Sequence, residues 1–119
     1  MKIALIQTEL SWENPNENKA LLQEKINAIS QYVDLIVLPE MFTSGFTMNP
    51  KNVAQIMQGD AISWLKETAK DKDCAITGSL VIEENGNYFN RLVFVFPTGE
   101  IQTYDKRHLF TLAGEEKVY

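Results

Sequence analysis

Leu35-Ile36-Val37-Leu38 is a run of four apolar residues that Pro39 brings to a stop. Side chains alternate across a strand, so this run offers no polar face to water and needs cover on both sides. Tyr88 to Phe96 poses the same demand, because its apolar residues also fall on both faces. A chain with two such strands has to place a sheet between two covering layers, and this excludes most small folds.

The other elements follow from local signals. Lys2 to Gln7 is a short, β-branched apolar run that predicts a buried strand. Asn14-Pro15 marks a helix start, with Asn as the cap, Pro suited to the first turn and Glu17 close by. Leu22, Ile26 and Ile29 then share one face of a helix expected to end near Ser30. Met41 to Gln58 is mixed and predicts loops with a short helical turn. Asp60 is expected to cap a second helix with Ala61, Leu65 and Ala69 on one face. Cys74 to Ile82 and Tyr88 to Phe96 predict two strands joined at Asn85-Gly86, a pair that tolerates the positive φ of a tight hairpin. Pro97-Thr98-Gly99-Glu100 turns the chain into a last strand at Ile101 to Tyr104. The order β-α-β-α-β-β-β is that of an α/β layer with two helices on one side of the sheet. A second sheet or a partner is then expected on the other side. The chain stops at Gly114-Glu115-Glu116-Lys117-Val118-Tyr119 without a closing element, so residues 1–119 are expected to form a partial domain.

Composition excludes several functions. With 45% hydrophobic and 10% aromatic residues the chain has material for a core. A net charge of −5 with no basic stripe argues against nucleic-acid binding. Cys74 is the only cysteine and His108 the only histidine, so neither an internal disulfide nor a Cys/His zinc site is expected. The apolar start breaks at Gln7-Thr8, too early for a signal peptide, and no run approaches a membrane span. The expected setting is a reducing cytoplasm.

Two residues could carry chemistry. Glu40 follows the run stopped at Pro39, at the carboxyl end of a strand, where open α/β sheets form ligand crevices. Beside Met41, Phe42 and Phe46 its carboxylate would be partly desolvated and more basic; on position alone the commoner reading is a solvated loop glutamate. Lys106 follows the last strand and could stabilise an oxyanion, or simply sit on a surface turn with Arg107. His108 reads as structural. Cys74 reads as a small buried hydrophobe, with no base or helix start to lower its pKa. Ser44 and Ser79 lack triad partners, and Gly45 and Gly78 form no phosphate loop.

Taken together, five stretches resemble the nitrilase superfamily of carbon–nitrogen hydrolases. Leu38-Pro39-Glu40-Met41-Phe42-Thr43-Ser44-Gly45-Phe46 resembles its glutamate motif, most of all that of bacterial ω-amidases. Tyr104-Asp105-Lys106-Arg107-His108-Leu109-Phe110 resembles its lysine motif. Ile76-Thr77-Gly78-Ser79-Leu80 and Tyr88-Phe89-Asn90-Arg91 resemble the strands between them, and Ile3-Ala4-Leu5-Ile6-Gln7-Thr8 the start.

The resemblance implies the N-terminal half of a four-layer αββα sandwich, and an amidase acting on ω-amides of 2-oxo acids. It implies Glu40 as general base, Lys106 as oxyanion stabiliser and a cysteine nucleophile that forms a thioester. A second glutamate that positions the lysine would be Glu115, or Glu116 beside it. No metal or organic cofactor is implied. Partners would be the small-molecule amide, and either further copies of the chain or a missing C-terminal half. The family nucleophile lies beyond the lysine motif, and Cys74 precedes it, so the chain alone is expected to be inactive. The alternatives are a non-catalytic binding subunit or half of a split enzyme, and a nitrilase or carbamoylase branch.

Overall fold

The computed structural model describes residues 1–107 and Val118. Its elements are β1 (Ile3–Leu5), α1 (Pro15–Asn27), β2 (Leu35–Val37), α2 (Pro50–Val53), α3 (Asp60–Lys72), β3 (Ala75–Glu84), β4 (Asn87–Val95) and β5 (Ile101–Asp105). The strands form one sheet in the order β1-β2-β3-β4-β5. The first three are parallel, and β4 and β5 are added antiparallel by hairpins.

The helix starts show what the local signals decide. Asn14 caps α1 by accepting from the Glu17 amide at 3.2 Å, and Pro15 occupies the first turn. Leu22 and Ile26 are fully buried, Ile29 packs against the core beyond the helix end, and the helix stops at Asn27, earlier than expected. The cap of α3 is displaced by one residue from the expectation. Gly59 is the cap and Asp60 lies inside the first turn, where its charge still favours the positive end of the helix. Gly59 sits there because a Cβ would come within 3.0 Å of the Ile56 carbonyl oxygen. Asn85 and Gly86 take φ of 54° and 79°, the left-handed pair of the expected hairpin turn.

Both long helices lie on one face of the sheet. Successive β-α-β units that step in one direction with right-handed crossovers have to place their helices on the same side. Leu22 and Ile26 of α1 and Ile62, Trp64, Leu65 and Ala69 of α3 therefore share one core with Ile36, Ile76, Leu80, Val93 and Val95. The opposite face carries Leu5, Val37, Thr77 and Phe94 in one row across four paired strands. Among the described residues, Met41 and Val53 of α2 cover its end near Val81, and Thr77 and Ser79 are buried in its middle, while Leu5 and Leu92 stay exposed.

This uncovered face corrects the expectation of a fully buried first strand. In β1 Leu5 is 70% exposed, because the strand lies at the sheet edge and its outward side chains meet no second layer. Leu92 of β4 is exposed on the same side. The demand for cover on two faces is thus real, and the described residues meet half of it.

Candidate active site

The segment after β2 is stitched to β3, first by the Leu38 amide on the Thr77 carbonyl and then twice by Ser79. The Ser79 hydroxyl accepts from the Met41 amide at 2.9 Å, and the Ser79 carbonyl accepts from the Phe42 amide at 2.9 Å. Met41 takes φ of 50°, a left-handed conformation that costs a non-glycine residue about 1 kcal/mol or more. This turn sends Met41 and Phe42 into the interior and leaves Glu40 at its crest, over the carboxyl ends of the parallel strands.

Among the described residues two groups reach the Glu40 carboxylate. Asn90 of β4 donates from Nδ2 to Oε1 at 3.0 Å, and Lys106 donates from Nζ to the same oxygen at 3.2 Å. Asn90 is buried, so the donor it presents is fixed by the strand. Lys106 is placed by its own backbone, whose N–H donates to the Asn90 carbonyl at 2.9 Å. Its ammonium also lies 5.9 Å from the centre of the Phe46 ring. These residues open onto a cleft of about 330 Å³ on the uncovered face, walled by Val37, Leu92 and Tyr104.

The site differs from expectation in one respect. The Glu40 side chain keeps 53% exposure and that of Lys106 31%, so the desolvation expected from Met41 and Phe42 is not present. Both residues turn inward, away from the carboxylate. An ion pair this open contributes only about 0–1 kcal/mol to stability. Stability therefore does not account for a pairing between residues 66 positions apart.

The remaining candidates separate cleanly. Cys74 is 2% exposed and lies at the start of β3, the end of the sheet opposite Glu40. Burial pushes its thiol pKa up, and Asp73 adds to the shift. It is the inert hydrophobe expected. Ser79 is no nucleophile but the brace of the Glu40 turn. Glu115, Glu116 and His108 lie outside the described residues. The sequence reasoning missed Asn90 as a site residue. The available signal was its polar side chain in the middle of a strand rich in aromatic and aliphatic residues.

Nearby, Arg91 is buried between two carboxylates. It meets Asp105 through Nε and Nη2 at 2.6 and 3.1 Å, and Glu84 through Nη1 and Nη2 at 3.1 and 3.3 Å. The hydrogen bonds from Arg91 hold the Glu84 carboxyl below the usual carboxylate range. Among the described residues no cluster of His, Cys, Asp or Glu is arranged to hold a metal ion, and no helix is long and apolar enough to cross a membrane.

A Glu–Lys pair over the carboxyl ends of a parallel sheet, braced by a strand asparagine, defines a site suited to proton transfer next to a fixed positive charge. The carbon–nitrogen hydrolase family model matches residues 2–119. The chain belongs to that family. It is 39% identical over its whole length to an omega-amidase YafV of Yersinia enterocolitica, covering 46% of that protein. It is 34% identical to a 2-oxoglutaramate amidase of Bacillus subtilis, with 95% of this chain and 45% of that protein covered. The crystal structure of XC1258, a CN-hydrolase superfamily protein of Xanthomonas campestris with an arsenic adduct in its active site, superposes with a TM-score of 0.95. The identity there is 35%, over 100% of this chain and 45% of the other. The chain thus spans about half the length of the relatives it matches, and its sheet with two helices is half of their α/β sandwich.

Proposed function

We propose that this chain supplies the Glu–Lys half of a thiol-dependent amidase that hydrolyses the ω-amide of 2-oxo acids. The observation that carries the reading is the pairing of Lys106 with Glu40 at 3.2 Å, in a cleft on the uncovered sheet face. The names of the relatives, omega-amidase and 2-oxoglutaramate amidase, favour this substrate class over nitriles and carbamoyl compounds.

In this reading Glu40 takes the proton of a cysteine thiol, and the thiolate attacks the amide carbon. Asn90 and Lys106 both engage Oε1, and among the described residues none donates to Oε2, so Oε2 is the oxygen available to the proton. Lys106 stabilises the tetrahedral oxyanion. Protonated Glu40 then gives its proton to departing ammonia and afterwards activates water to cleave the thioester. Glu115, or Glu116, would position Lys106. Cys74, buried at the far end of the sheet, cannot be the nucleophile. The reactive thiol therefore comes from outside the 119 residues, and these alone do not hydrolyse amides. The uncovered face with Leu5, Leu92 and Phe94 takes a second sheet, from the same polypeptide or a second chain.

The test is ammonia release by the full-length protein from a 2-oxo acid ω-amide, a nitrile and a carbamoyl compound. The ω-amide is expected to be the best substrate, and Glu40→Gln and Lys106→Ala each to lower kcat/KM by roughly 10²–10⁴-fold. Full activity in either variant, or amide hydrolysis by the 119-residue chain alone, would overturn the proposal.

A further inference from the structure

Arg91 takes no part in the chemistry just proposed, yet it is 6% exposed and carries a full charge. Burying a guanidinium is costly unless its donors are met in good geometry. Here the planar fork closes on Asp105 and Glu84 at once, with Cζ 5.2 Å from the centre of the Phe89 ring. The contacts tie the last residue of β3 and the last residue of β5 to the strand between them. A fork of this kind fixes direction as well as distance, which a lysine at the same place could not do.

The position of the fork matters more than its strength. Arg91 follows Asn90, and Asp105 precedes Lys106. Asn90 points to the cleft, where it holds Glu40, and its carbonyl receives the Lys106 amide. Arg91, the next residue of the strand, points to the opposite face and pairs with Asp105. The Asn90–Arg91 dipeptide therefore grips both members of the site from one strand, on two faces of the sheet. The open Lys106–Glu40 contact is too weak to hold a long lysine stem in place by itself.

We propose that Arg91, acting through Asp105, is a positioning residue that sets the place of Lys106 relative to Glu40. The inference rests on the amidase reading above. A shift of about 1 Å in a positioning group can cost roughly 10²-fold in rate. Glu84 supplies the comparison, since it holds the same guanidinium but is remote in sequence from Lys106.

The experiment compares Asp105→Asn, Arg91→Lys and Glu84→Gln in the full-length protein, with kcat and KM measured separately on the ω-amide. Asp105→Asn and Arg91→Lys are expected to lower kcat by roughly 10²-fold. Their KM should stay within about threefold, as befits an interaction that matters only in the transition state. Glu84→Gln should lose stability and keep kcat within about twofold. Should Arg91→Lys fail to fold, Asp105→Asn decides, because the carboxamide fills the same space but turns an NH2 donor on the guanidinium in place of one of the two acceptor oxygens and so breaks the fork. Unchanged kcat in Asp105→Asn, or an equal loss in Glu84→Gln, would reduce Arg91 to a structural brace and overturn the proposal. Full activity in Glu40→Gln or Lys106→Ala would instead overturn the amidase reading, so the two failures are distinguishable.

Discussion

Replacing Gly78 by alanine adds one methyl group where the structure has no room for it. Gly78 lies in β3 opposite Val93, with no left-handed φ, so the backbone itself accepts alanine. The added Cβ would stand 2.9 Å from Phe42 Cδ1 and 3.0 Å from Leu38 Cβ. Carbon atoms in contact prefer about 3.5–4.0 Å, so each neighbour has to retreat by about 0.5–1 Å. Neither can do so by a free rotation. Phe42 is buried with its ring 6.1 Å from that of Trp64, and Leu38 is held by its amide on the Thr77 carbonyl at 2.8 Å. Overpacking of this kind costs about 1–3 kcal/mol. The smaller unfolded-state entropy of alanine returns about 0.4–1 kcal/mol, which leaves a net loss of about 1–2 kcal/mol. Because Glu40 lies between Leu38 and Phe42, the same shift reaches the carboxylate, and activity should fall further than stability alone explains. Urea unfolding of the full-length protein measures the first effect through a lowered midpoint at unchanged slope. Gly86→Asn is the matching control. Nothing lies within 4 Å of the place its Cβ would take, so any loss there reports the strain of a side chain at φ 79° and not crowding. A Gly78→Ala protein within about 0.5 kcal/mol of the parent would refute the steric argument.

Asn18 is fully buried and joins three backbone groups, accepting from the Ser11 amide and donating to the Ser11 and Thr43 carbonyls. Asn18→Ala leaves these groups unmet and should cost about 2–4 kcal/mol in a denaturation experiment; a loss under about 1 kcal/mol would contradict it. The Glu84 carboxyl has its folded pKa below the unfolded one, so its stabilisation is present above the unfolded value and is lost as pH falls through the folded value. Stability profiles of the parent and Glu84→Gln should therefore converge on the acid side, and parallel curves there would count against the Arg91 contact. The Cys74 thiol, buried and with a raised pKa, should resist alkylation at neutral pH in the native state and react once urea unfolds the protein. Rapid native labelling would show that the start of β3 opens.

What could be foreseen depended on the range of the interaction. The Asn85-Gly86 hairpin and the Asn14-Pro15 cap are decided within four residues, and both form as expected. The Gly59 cap is decided just as locally, by a turn in which the Gly59 amide donates to the Ile56 carbonyl and leaves no room for a Cβ, but no residue type in that stretch announces the turn. Glu40 and Lys106 could be singled out by their positions at strand ends and by motif. Their contact spans 66 residues, and no local pattern encodes it. The exposure of Glu40 escaped for a related reason. Apolar neighbours suggest desolvation, but the left-handed Met41 turn directs those neighbours inward. Asn90 and Arg91 look like outward polar residues of a strand until β5 is laid alongside and their partners arrive.

The strand order in space is also the order in the chain. A chain that emerges from the ribosome from its N-terminus finds the partner of each new strand already made, and no strand has to be inserted between two others. Loop-closure entropy is then lost in short instalments. The Glu40 turn can be seated as soon as β3 brings Ser79 to it, whereas Lys106 is the last of the described site residues to be translated. Its arrival completes the Glu40–Asn90–Lys106 set, so a pause or mistranslation at that point in synthesis would leave a well-formed sheet with the carboxylate in place and its cation missing.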